Sequence, residues 1–384
     1  MHHSIAIAKL ALLLATAAMS CGFFIVAHAH AQKSCWPCER DRLVEPNGSS
    51  AFPDFLSSLH NLRHLDLAGT PYSGRVPARL SNLSNLEYLD LSGTSLHGRA
   101  QFLFSYKNLI RLDLSNTLFS GTLPPQLGKL SKLEYLDLTT TLFSGTLPPQ
   151  LGNLSNLRHL DLSYMQNIHT ADVSWLTHLH FLEYLDMSDI NLGTADVFPV
   201  ANTIPTLKDL ILSNCSLPNA NQSLKHLNLT SLERLDLNRN YLGHRIDTSW
   251  FWNITGITHL DLDETYLYGP FPDALGGMTS LQYLSFANNG NSATMMVDLK
   301  NLCDLELLRL DGSLAFGNIT EFLRKLPQCS SNKFLSVYSN HNNMTGMLPD
   351  MVGHLTSLDE LSLSNNSITG GIPSGLRNLT SLYG

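Results

Sequence analysis

From about residue 52 onward the chain carries short bursts of strict alternation, apolar–polar–apolar, most often written Leu-Asp-Leu. Between bursts, leucines recur at every third residue or so, as in "LSNLSNLEYLDL" from Leu80 to Leu91. Alternation with period two predicts a short strand whose two leucines face a core and whose middle residue faces outward. Aligned on the first leucine, the bursts fall at Leu65, Leu89, Leu112, Leu136, Leu160, Leu185, Leu210, Leu235, Leu260, Leu284, Leu308, Leu335 and Leu361, with spacings of 23 to 27. One such unit cannot bury its own apolar face, but stacked neighbours bury a continuous one. The pattern therefore predicts about 13 coils with parallel strands along a concave wall and irregular or 3-10 returns on the convex side.

The position three residues after the second leucine is expected to hold asparagine, whose amide bonds backbone groups of adjacent coils. Here it is Asn240, Asn289, Asn340 and Asn366, but threonine at Thr70, Thr94, Thr117, Thr141 and Thr265, and cysteine at Cys215. A threonine hydroxyl both donates and accepts, so a weaker ladder is expected where it stands in. Cys215 reads as a buried structural thiol. Beginning at this position "TLFSGTLPPQLG" occurs twice unchanged, at residues 117–128 and 141–152. Its glycine suits a turn and its prolines a corner or edge, which makes the copied stretch scaffold.

Composition narrows the function. Of 384 residues 43% are hydrophobic and 15% charged, and the net charge of −8 with no basic run argues against nucleic-acid binding. "LALLLATAAM" after Lys9, followed by Ala-His-Ala sites, reads as a cleaved signal peptide over 1–31, the alternative being an uncleaved anchor. Eleven acceptors for N-linked sugar stand behind it: Asn47, Asn82, Asn153, Asn214, Asn221, Asn228, Asn253, Asn318, Asn343, Asn365 and Asn378. A secreted or extracellular location is expected, with no further membrane span.

The units read L-x-x-L-x-L-x-x-N-x-L-x-G, as in "LEYLDLSGTSLHG" and "LDELSLSNNSITG", with an S-G-x-[ILV]-P corner as in "SGRVP" (73–77) and "SGTLP" (120–124). This resembles the plant class of extracellular leucine-rich repeats, and so implies an α/β leucine-rich-repeat solenoid, a curved right-handed superhelix, over 52–384. "CWPCERDRL" (35–43) and "NLCDLELLRLDGS" through "LPQC" (301–329) further resemble plant receptor-like proteins of the Cf resistance-protein and xylanase-receptor type. That resemblance implies a receptor ectodomain for defence or development, acting through a partner kinase and anchored at the plasma membrane if a C-terminal helix follows. The family's cap block has no match after residue 38, so 32–51 reads as a cap remnant, with no strand expected before residue 52. The last coil stops mid-repeat, which suggests truncation. A secreted inhibitor of the polygalacturonase-inhibitor type and a non-functional truncated product stay open as alternatives.

Candidate chemistry is sparse. No catalytic, nucleotide or metal motif appears, so no enzyme activity, cofactor or metal is expected. Cys303 and Cys329, one coil apart, are expected to pair. A protein or peptide ligand is expected on the outward column just before each L-x-L: Tyr88, Arg111, Tyr135, His159, Tyr184, Arg234, His259 and Tyr283, flanked by His64, Asp209, Leu307, Phe334 and Glu360. The next outward column is a row of aspartates, Asp66, Asp90, Asp113, Asp137, Asp161, Asp186, Asp236 and Asp261, read chiefly as solvated consensus residues. His64, His159 and His259 beside them predict pH-sensitive binding near pH 6.

Overall fold

The structure, a computed structural model, describes residues 24–26, 50–52, 56 and 58–382, apart from 166, 171, 194, 218–223, 225 and 330–332. Most of the expected leader and cap remnant, with Cys21, Cys35, Cys38, Asn47 and Asn221, lies outside the described residues. The chain divides into two compact units, residues 1–190 and 191–384.

In the first unit, three-residue strands beginning at His64, Tyr88, Arg111, Tyr135, His159 and Tyr184 run parallel, each paired in register with the next. Their leucines (Leu65, Leu89, Leu112, Leu136, Leu160, Leu185) are fully buried, which the alternation demands. Within the expected leader, Phe24–Val26 is a further strand, with Ile25 opposite Leu65. That corrects the expectation of no strand before residue 52.

The copied stretch does more than turn a corner. Leu118–Thr122 and Leu142–Thr146 are strands of a second parallel sheet, with Leu142 opposite Ser120. Each passes through a glycine at φ near +90° into a 3-10 turn, Pro125–Lys129 and Pro149–Asn153. Proline at the first turn position loses no hydrogen bond there. The glycine that ends the copied stretch has a separate reason. A Cβ on Gly128 would sit 2.1 Å from the Gln150 carbonyl oxygen, so only glycine lets successive turns approach this closely.

In the second unit, strands beginning at Asp209, Arg234, His259, Tyr283, Leu307, Ser336 and Glu360 pair in the same parallel order. The expected register fails at one place. Leu308 lies opposite Val337, not Leu335. Leu335 is 39% exposed and Phe334 only 1%, so Phe334 leaves the outward column and Ser336 takes its place. This coil is 29 residues long because it accommodates the helix Ile319–Lys325, which the Asn318 side chain caps. Cys303 and Cys329 form a disulfide across its base, with Cα atoms 5.6 Å apart.

The ladder position behaves differently in the two units. Thr70, Thr94, Thr117 and Thr141 each donate to the carbonyl three residues back in their own coil. Met165 and Ile190 fill the next two positions as apolar residues. The weaker threonine ladder is therefore not a ladder; neighbouring coils there are joined by backbone bonds and apolar packing. Asparagines of the second unit do bridge coils. Asn240 donates to Leu212 O and accepts from Cys215 N and Leu217 N one coil back. Asn289 and Asn366 act likewise, and Asn342 takes the role expected of Asn340. Asn340 instead accepts from Ser362 and Ser364. Cys215 is a buried thiol outside any disulfide.

Candidate recognition surface

On the first unit the outward column closes into one continuous row. The His64 and Tyr88 rings stack at 3.9 Å, Tyr135 and His159 at 4.1 Å, and His159 and Tyr184 at 4.2 Å. Arg111 completes the row, its guanidinium 3.4 Å from the Tyr135 ring centre and 5.5 Å from that of Tyr88. In-register pairing places one such side chain per strand, and flat groups then cover one another's faces. The row shows solvent its ring edges, with few torsions left free.

The aspartate column lies beside it and is not simply solvated. All eight aspartates accept, through Oδ1, the backbone N–H two residues ahead, at 2.8–3.1 Å. Each bond closes the turn that leaves the strand. The second oxygen meets the ring row: Tyr88 and Tyr135 hydroxyls donate to Asp90 and Asp137 at 3.3 Å, and Arg111 pairs with Asp113 at 3.1 Å. These residues are thus turn-formers that also fix the column's side chains. On six strands, six carboxylates stand against one guanidinium, and the face is acidic.

Burial moves the titrations away from histidine. His159 is pushed down to about 4, and His64 is also lowered, in both cases chiefly by desolvation. At about 4, His159 does not supply the switch near pH 6 that the sequence suggested. Carboxylates do: burial, with Asp137 and Asp90 adding to it, raises Asp113 to about 6. Asp261 is raised to about 7 by burial and then by Asp263 and Asp236. An acid raised in the folded state stabilises the fold below its ordinary range, and that contribution is lost as pH rises through the folded value. Thermal melting is thus expected to rise by about 2–4 °C between pH 7.5 and 5.5, equivalent to about 1 kcal/mol. Asp261→Asn, which keeps the turn-closing oxygen, is expected to flatten this profile; an unchanged slope would refute the assignment.

Asp137, His159 and Asp161 bring their potential ligand atoms within 4.8 Å of one another. Both carboxylates are already committed to turn N–H groups and the His159 ring is held between two tyrosines. The trio belongs to the row.

The expected residues of the second unit are not drawn together in this way. Arg234 and His259 are exposed, and His259 and Tyr283 rings lie 6.0 Å apart. Sequence reasoning missed Tyr241 and Tyr266, exposed and 5.1 Å apart one position beyond the ladder. Their recurrence one coil apart was the available signal. The nine described sugar acceptors are all exposed, and four of them, Asn82, Asn153, Asn253 and Asn378, end 3-10 turns on the return segments.

A family model described as "Leucine-rich repeat region" matches residues 49–245, and one described as "Leucine Rich Repeat" matches 357–379. Receptor-like protein EIX1 of Solanum lycopersicum is 34% identical over 127 residues, covering 32% of this chain and 12% of that protein. EIX2 of the same organism is 31% identical over 173 residues, 44% of this chain and 17% of that protein. The chain thus spans less than a fifth of these relatives' lengths. Among solved structures, a plant peptide hormone receptor, RGFR1 with RGF2, superposes with a TM-score of 0.67 at 23% identity, over 87% of this chain and 52% of that one. PEPR1–AtPEP1 gives 0.67 at 24%, over 87% and 49%. At these identities the structures bear on the fold.

Proposed function

From the premise that this chain belongs to the leucine-rich-repeat family, we propose that it is the ligand-recognition region of a plant cell-surface receptor-like protein. Its ligand is a basic peptide or an exposed basic protein segment. The observation that carries this reading is the row from His64 to Tyr184: stacked, rim-exposed Tyr, His and Arg side chains beside six aspartates. Rigid aromatic and Arg anchors bind with little further loss of side-chain freedom. The acidic surround favours a cationic partner and disfavours nucleic acid. Two similar structures are described as peptide complexes, and the curated relatives are receptor-like proteins, which supports the same class. Recognition is non-catalytic in this reading. The leader and sugar acceptors fit passage to the cell exterior, and signalling through a partner kinase follows from the family resemblance. No helix of the described residues is long and apolar enough to cross a membrane.

The test is selection of peptides from a random display library on the secreted protein. Lys- and Arg-rich peptides are expected to enrich, with affinity falling as salt is raised. Tyr135→Ala, at a central ring, is expected to weaken binding about tenfold or more. Enrichment without charge bias, or a folded Tyr135→Ala that binds normally, would sink the reading.

A further inference from the structure

The 29-residue coil between Leu308 and Val337 leaves apolar surface uncovered. A cavity of about 370 Å³ opens beside the helix Ile319–Lys325, lined by Met296, Phe316, Asn318, Phe322 and Met344 among others. Phe316 is 64% exposed and Met296 68%, and both line the cavity. Two large apolar side chains left this open at one place call for a cover.

The local sequence is Phe316-Gly317-Asn318-Ile319-Thr320, an N-x-T acceptor with an aromatic ring two residues ahead of the asparagine. Residues two apart on extended backbone face the same side, and Phe316 and Asn318 both line the cavity. The Asn318 amide is already aimed. Its Oδ1 accepts from Thr320 N at 3.0 Å and Glu321 N at 3.3 Å, capping the helix. Its Nδ2 has no hydrogen-bond partner among the described residues and points toward Gly346, where an added Cβ would stand 2.8 Å away. Glycine at 346 is required by its φ of +97°, and its missing side chain leaves open the space beside Nδ2. Asn343 lines the same cavity, but its Nδ2 donates to Ala315 O at 3.0 Å.

We propose that Asn318 carries an N-linked glycan whose first sugar lies on the Phe316 ring and covers this patch. The transfer joins Nδ2 to the anomeric carbon of a lipid-diphosphate-linked oligosaccharide, expels the lipid diphosphate and releases one amide proton. Oδ1 stays an acceptor, so the helix cap and the glycan coexist. One face of an N-acetylglucosamine ring presents only C–H groups, which suit the electron-rich face of an aromatic ring. The sugar, not a protein partner, is then the occupant of this groove. The inference rests on the secretory reading above.

Site occupancy by peptide mass spectrometry of protein secreted from eukaryotic cells is the first measurement. Asn318 is expected to be occupied in most chains. Occupied Asn153 and Asn253 with an empty Asn318 would overturn the inference alone, whereas no occupied site at all would overturn the secretory reading as well. Thr320→Ala then removes this glycan but keeps the Asn318 cap. It is expected to raise binding of an apolar fluorescent dye several-fold. Phe316→Ala is expected to lower the melting temperature of the glycosylated protein, to have little effect in the Thr320→Ala background, and to be rescued by Phe316→Tyr. Equal effects in both backgrounds would overturn the ring–sugar contact.

Discussion

Asn240→Ala is expected to destabilise the second unit by about 3–5 kcal/mol, among the largest losses any single substitution produces. The side chain is fully buried and makes five bonds. It accepts from Cys215 N and Leu217 N, and its two amide hydrogens go to Leu212 O and Leu237 O, the longer contact to Asn238 O being shared. Alanine leaves two buried donors and at least two carbonyls without partners, each costing about 1–3 kcal/mol where water does not enter. Three of those groups belong to the preceding coil, so the loss is of adhesion between coils. Thr117→Ala in the first unit removes one bond to the residue's own coil and is expected to cost about 1 kcal/mol. Urea melts of the two variants, with amide exchange over 209–217, separate the cases. Similar losses at both positions would contradict the distinction drawn between the ladders.

Arg111→Ala is the second large effect, about 2–4 kcal/mol in the first unit. The guanidinium lies over Tyr135, near Tyr88, and pairs with Asp113, whose side chain is only 8% exposed. Removing it leaves that carboxylate desolvated among like charges, and the partial exposure of Arg111 keeps the cost below that of breaking a fully buried pair. The flanking rings also lose the only group that joins them into one row. Arg111→Lys is expected to recover little of this, because an ammonium does not stack flat between two rings. The loss is expected to shrink as pH falls below about 6, where Asp113 takes up a proton. A loss independent of pH, or full rescue by lysine, would show that the row is held by packing alone.

Strands and core were legible because burial alternates with period two and the leucines leave no doubt about which face is in. The same period explains the one register failure. A shift of two residues keeps the alternation, so Leu335 and Val337 both offer an inward start in "FLSVYSNHN". Asn340 and Asn342 fit one register each; the L-x-x-L frame, with a buried residue three before the strand's first leucine, is met by Phe334 only from Val337. The second sheet was hidden because its Ser-Gly-Thr residues have little strand character; the close packing of glycine turns brings them together. At the recognition surface the column was readable from register. That its rings stack, and that burial depresses His159 while raising Asp113, depends on side-chain placement that residue type alone does not encode.

The central claim is that ligand meets the ring row of the first unit. Photo-cross-linking of a library-selected basic peptide, followed by mass spectrometry of the joined fragments, tests it most directly. The account predicts adducts on the strands between His64 and Asp186, lost on addition of unlabelled peptide. Competable adducts confined to the return turns, such as Ala78–Asn82 or Pro149–Asn153, would contradict it.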